Sequence, residues 1–169
     1  MSILILMRHA KAVRDHEAAD DRARALTPAG LRDAAAAAVS MDEAGFAPAR
    51  ILVSPASRTR MSAHAVRRVL SSVTETVVVD SLYLCAPEMI WTEARANFTE
   101  AGMMVVGHNP GLHHLIADWI ERSRDRSALA RGLQEGLATS GWAAFEVADE
   151  PLRALAPKLI GGAAGRGGG

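Results

Sequence analysis

Short apolar runs alternating with longer helix-forming stretches constrain this chain more than any other feature. Ile3-Leu4-Ile5-Leu6-Met7 is continuously apolar, the pattern of a strand buried on both faces. Ile51-Leu52-Val53, Thr76 to Asp80, Met103 to Val106 and Gly141 to Val147 read as further strands. Helix punctuation fills the gaps. Thr27 suits an N-cap and Pro28 the first helical position, and the alanine-rich run to Glu43 stops at Gly45. Arg58 to Leu70, Pro87 to Ala101 and Pro110 to Arg122 are the other helices, the last with Asn109 as its N-cap. Ala10 to Leu26 is charged and aperiodic, and reads as a long functional loop with helical turns. Ser123 to Arg131 leaves helix and loop open. Strands alternating with helices predict right-handed βαβ units, and so an α/β three-layer sandwich with a mostly parallel central sheet flanked by helices.

The chain has 169 residues, enough for one domain with its own core. We expect a single domain over residues 1–160 and a flexible, glycine-rich tail over 161–169. Lys+Arg and Asp+Glu both number 19, so no basic footprint points to nucleic acid. Cys85 is the single cysteine, which forbids an intrachain disulfide and suits a reducing compartment. Ile3 to Met7 is too short for a signal-peptide core, and no run nears the roughly 20 apolar residues of a membrane span. The expectation is a cytoplasmic protein with no membrane partner.

In parallel α/β sheets ligands bind beyond the carboxyl ends of the strands. The first strand ends in Arg8-His9, the second in Ser54-Pro55 with Arg58 and Arg60 in the next turn, and the fourth in Gly107-His108-Asn109. Two histidines and two arginines meeting at one sheet edge would make a strongly electropositive pocket suited to a phosphate dianion. A neutral imidazole can attack phosphorus while arginines and a second histidine stabilise the equatorial oxygens. The scheme requires no metal and no cofactor.

Arg8-His9-Ala10-Lys11 resembles the Arg-His motif of the histidine phosphatase superfamily, in the Arg-His-Ala form found among bacterial SixA-type phosphohistidine phosphatases. Leu26-Thr27-Pro28-Ala29-Gly30 resembles the family's Leu-Thr-x-x-Gly helix start. Ser54-Pro55-Ala56-Ser57-Arg58 resembles its Ser-Pro-x-x-Arg segment, and Gly107-His108-Asn109-Pro110 its second-histidine loop. Leu82-Tyr83 recurs in the same subgroup. The similarity covers about residues 1 to 147. It implies a phosphoglycerate mutase-like fold, His9 as the phospho-accepting nucleophile, and Arg8, Arg58 and His108 as the groups that bind the phosphoryl moiety. Arg60 has no counterpart role and reads as a rim residue.

The phosphomonoesterase members of that superfamily place an acidic proton donor shortly after the third strand. Here Glu88 is the nearest carboxylate, and Pro87-Glu88 reads first as a helix N-terminus. An alkyl phosphate must expel a poor alkoxide and needs that acid, whereas phosphohistidine expels an imidazole with a conjugate-acid pKa of about 6.5. The expected substrate is therefore phosphohistidine on a protein. The alternatives are a small phosphate ester with Glu88 or Asp15 as acid, or a non-catalytic phosphoryl-binding module. His108, His113 and His114 lack the ligand spacing of a metal centre, and Cys85 lacks the surroundings of a cysteine phosphatase. Trp119 and Trp142 read as packing residues. His16 and His64 read as exposed.

Overall fold

The structure is a computed structural model, and it describes residues 2–147 and 157–165. Six strands form one sheet in the order β3-β2-β4-β1-β5-β6. They are β1 (Ser2–Arg8), β2 (Arg50–Val53), β3 (Glu75–Val78), β4 (Met103–Gly107), β5 (Trp142–Val147) and β6 (Lys158–Ala163). β1 to β4 run parallel, and β5 is antiparallel to both neighbours. The helices are α1 (Pro28–Glu43), α2 (Ser57–Val69), α3 (Pro87–Ala96), α4 (Gly111–Ser123) and α5 (Ala128–Glu135). This is the expected α/β sandwich with a phosphoglycerate mutase-like arrangement.

Strand alternation divides the core in two. Leu4, Leu6, Leu52, Met103, Val105 and Phe145 face α3, α4 and α5. Ile5, Met7, Ile51, Val53, Met104 and Val106 face α1 and α2. β1 is therefore apolar at every position because both of its faces are covered. Trp119 stacks edge-to-face on Phe145 and on Trp91, each at 5.0 Å, and Trp142 packs likewise on Phe46 at 5.7 Å.

The start of α1 follows the expected chemistry. The Thr27 side chain accepts from the Gly30 N–H at 3.0 Å, and Pro28 occupies the first turn. A Cβ on Gly30 would collide with the Lys11 carbonyl, so glycine lets α1 sit against the backbone just after the first strand. Ala12 and Leu26 form an antiparallel bridge, which turns residues 13–25 into a closed excursion with one 3-10 turn at Asp15–Glu17.

Several boundaries differ from expectation. α3 ends at Ala96, five residues early, where the Asn97 side chain turns back to donate to the Glu93 carbonyl at 2.9 Å. Asn109 does not cap α4. Its side chain donates to the Leu137 carbonyl at 2.8 Å, and Pro110, joined to it by a cis bond, precedes the helix. The ambiguous stretch Ser123 to Arg131 holds the first half of α5, which is capped by Ser127 and runs on to Glu135. The expected tail begins too early: Gly161, Gly162 and Ala163 belong to β6, which pairs with β5. A Cβ on Gly161 would strike the Phe46 ring, so this glycine serves packing rather than mobility. The rest of that expectation, residues 166–169, lies outside the described residues.

Candidate active site

Three adjacent strands end at one edge of the sheet. The register pairs Arg8 with Gly107 and Val53 with Val106, so His9, His108 and Ser54 emerge side by side beyond the last rungs. The ladder extends into the site, because the His9 N–H donates to the Gly107 carbonyl at 3.1 Å and the Ser54 N–H to the Val106 carbonyl at 3.2 Å. The His9 and His108 rings lie 5.4 Å apart, edge to face. After the Ser54-Pro55 turn, the Thr59 hydroxyl bonds with the carbonyls of Ser54 and Ala56, each at 2.8 Å, and Arg58 enters the site from the first turn of α2. All four residues singled out from the motifs are thus brought together.

Each imidazole has one nitrogen committed to the protein. His9 Nδ1 lies 2.7 Å from the Ala10 carbonyl. A carbonyl only accepts, so Nδ1 carries the proton and Nε2 keeps its lone pair. Burial, reinforced by the charges of Arg58, Arg8 and Arg24, pushes the His9 pKa down to about 4 against the pull of the Ala10 bond. His108 Nε2 lies 2.7 Å from the Ser54 hydroxyl, while its buried Nδ1 has no partner. Burial first, then His9 and Arg58, pushes the His108 pKa down to about 3. Both rings are therefore neutral near pH 7. The positive character anticipated from two histidines and two arginines rests on the guanidiniums alone.

Those guanidiniums are held from behind. Arg8 Nη1 donates to the Leu137 carbonyl at 3.0 Å, the same carbonyl that receives Asn109. Arg58 donates from Nη1 to the Asp21 carbonyl at 2.6 Å and from Nη2 to the Asp21 carboxylate at 2.9 Å. Each keeps a buried Nε–H without a protein partner. Asp21 also receives the Tyr83 hydroxyl and, at 3.1 Å, Arg24. The Tyr83 bond, then Arg58 and Arg24, hold its carboxyl far below the usual carboxylate range. Tyr83 packs edge-to-face on His108 at 5.5 Å and carries the Arg22 guanidinium 4.3 Å above its ring. Sequence reasoning missed Ser54, Asp21, Tyr83 and the Leu137 carbonyl as supports. Two of them carried a signal without a role, Ser54 as the start of the Ser-Pro-x-x-Arg segment and Tyr83 in the recurrent Leu82-Tyr83 pair.

None of the other candidates makes a side-chain hydrogen bond with His9, Arg58 or His108 among the described residues. Asp15 is exposed and paired with Arg24 at 2.9 Å. Glu88 is exposed in the first turn of α3, and Arg60 is exposed on α2. Burial pushes the Cys85 thiol pKa up, the opposite of activation. His113 Nε2 donates to the Gln134 carbonyl at 3.0 Å, and His114, His16 and His64 are exposed. Among the described residues no three His, Cys, Asp or Glu side chains cluster as a metal site, and no helix is long and apolar enough to cross a membrane.

No protein-family model matches the chain, and no curated protein matches it by sequence. Solved structures do. A SixA protein from Agrobacterium tumefaciens, whose assignment as a phosphohistidine phosphatase is provisional, superimposes with a TM-score of 0.80 at 26% identity over 96% of this chain and 97% of that one. A similarly assigned SixA from Nakamurella multipartitia gives 0.78 at 27% identity over 96% and 95%. The protein histidine phosphatase SixA in complex with tungstate gives 0.75 at 21% identity over 95% of each chain and shares the fold. The resemblance to the histidine phosphatase superfamily, and within it to SixA-type proteins, is borne out by these neighbours.

Proposed function

We propose that this SixA-like chain is a metal-independent phosphatase working through phospho-His9, with phosphohistidine on a protein as its preferred substrate. The observation that carries the reading is the meeting of two neutral imidazoles, 5.4 Å apart, at the carboxyl ends of adjacent strands, with His9 Nε2 keeping its lone pair. Arg8 Nε, Arg58 Nε and His108 Nδ1 are buried without a protein partner, and His9 Nε2 carries a free lone pair. A buried donor left unpaired costs about 1–3 kcal/mol, and phosphoryl oxygens are acceptors of the kind such donors take.

In the first step His9 Nε2 attacks phosphorus, and the P–N bond to the substrate histidine breaks. The departing imidazole takes a proton from solvent. In the second step water attacks the phospho-His9 phosphorus, the P–Nε2 bond breaks and returns the lone pair to Nε2, one water proton passes to solvent, and phosphate leaves. For His108 to donate from Nδ1, its Nε2 must accept from the Ser54 O–H, which assigns that hydroxyl the donor's role. Asp21 cannot supply a proton, since Tyr83, Arg58 and Arg24 keep it ionised. That leaves the site without a buried general acid among the described residues, and supports a leaving group that departs unaided.

The test is turnover of phosphoramidate and of a phosphohistidine protein beside a simple alkyl phosphate, with acid-quench trapping of the phosphoenzyme. We expect trapped phosphate on wild-type protein, none on His9→Ala, no loss in EDTA, and alkyl phosphate slower by about 10²–10⁴-fold. Alkyl turnover matching phosphohistidine, with a large loss in Glu88→Gln, would move the small-ester reading to first place.

A further inference from the structure

We propose that the open groove along α2 is a docking surface for an acidic, amphipathic segment of the phosphoprotein substrate. The inference rests on the phosphohistidine reading above and extends it from the reacting group to its carrier. The groove has a volume of about 540 Å³. Leu31 and Met61 give it an apolar floor, and Arg60, His64 and Arg67 form one wall. Leu31 and Val78 are 40% and 49% exposed, and both line this one groove.

The basic wall has a regular origin. Positions 60, 64 and 67 are spaced four and three residues apart, so they share one face of α2. All three are exposed, and neither arginine forms an ion pair among the described residues. No carboxylate lines the groove. In a chain with 19 cationic and 19 acidic side chains this is a local segregation of charge.

Position ties the groove to the site. It starts at Ser57, next to Arg58, and follows the helix to Arg67, about 15 Å away at the helical rise. A small phosphate ester bound at His9 ends long before that distance. A polypeptide carrying the phosphohistidine does not. The far wall is β3, an edge strand whose Thr76 and Val78 face the groove. An amphipathic segment with acidic residues toward α2 and apolar residues toward Val78 and Met61 satisfies both walls.

The test uses two synthetic phosphohistidine peptides, one with Leu and Glu flanking the phosphohistidine and one with Gln in place of each Glu. Phosphoramidate is the small-substrate control. For the wild-type protein at low salt we expect kcat/KM on the acidic peptide to exceed that on the neutral peptide by at least about tenfold, and salt to erase the difference. The Arg60→Glu/Arg67→Glu protein should lose the preference and keep phosphoramidate turnover within about twofold, which also reports its folding. Equal cleavage of both peptides by wild type, or a preference that survives in the variant, overturns the docking proposal alone. Equal cleavage accompanied by a wild-type dimer that the variant breaks assigns the face to a second copy, and overturns it as well. Turnover of phosphoramidate with neither peptide cleaved overturns the protein-substrate reading together with the groove.

Discussion

His9 and His108 are both buried, both neutral, and opposite in what they present to the pocket. Ala10 takes the proton-bearing nitrogen of His9 and leaves a lone pair, whereas Ser54 occupies Nε2 of His108 and leaves Nδ1. The Ser54 hydroxyl therefore matters only through the tautomer it selects. Ser54→Ala should lower kcat/KM on phosphoramidate by about 10–100-fold, since an unsatisfied buried group costs about 1–3 kcal/mol. Losing a donor to the neutral ring also raises the His108 pKa, so the acid limb of the pH profile should move to higher pH. A profile unchanged in height and position would remove Ser54 from the site. The four motif residues were legible in the sequence because each ends a strand, directly follows one or opens the next helix. Asp21 was not, because Asp15, Asp20 and Asp21 share one charged stretch and only the folded excursion decides which of them reaches Arg58.

At the scale of elements, α1 acts on the site through one glycine. Gly30 touches the Lys11 backbone, and the preceding carbonyl, that of Ala10, holds His9. Gly30→Ala must push either the helix or that segment away. Overpacking of this kind costs about 1–3 kcal/mol, so a lowered urea midpoint is expected. Turnover should fall by more than the folded fraction does, because His9 loses its tautomer support. Unchanged kinetics per folded molecule would show that the helix moved and the site did not. The strands and α1 were readable because apolar runs, a Thr cap and a Pro at the first turn act locally. The end of α3, the bond from Asn109 to Leu137, and β6 were not. Two of these depend on a partner distant in sequence, since Asn109 finds a carbonyl of a later loop and Gly161 makes room for Phe46, whereas Asn97 ends α3 by a local bond back to Glu93 that no capping signal announces.

For the whole molecule, the neutral imidazoles make stability depend on pH. His9 and His108 titrate at about 4 and about 3 in the folded state and near 6.5 when unfolded. Below about pH 6.5 the unfolded chain binds more protons than the folded one, and stability falls as pH falls, by up to about 1.4 kcal/mol per pH unit for each ring. Asp21, held ionised, adds a further loss once the pH drops below the usual carboxylate range. The urea midpoint should be lower at about pH 5 than at about pH 7, and His108→Gln should flatten that slope. A midpoint insensitive to pH across this window would mean that the rings are not held neutral. The sheet order has a consequence for biogenesis. β1 lies at the centre, between β4 and β5, yet it leaves the ribosome before either. Its neighbours follow roughly 100 and roughly 140 residues later, which at about 5–20 residues per second is a wait of about 7–30 s for the second. During that interval Ile3 to Met7 is a naked, uncharged β-former with both faces open. The strand that leads into His9 is thus the segment of this sheet that stays longest without its partners during synthesis, and the one most open to non-native pairing.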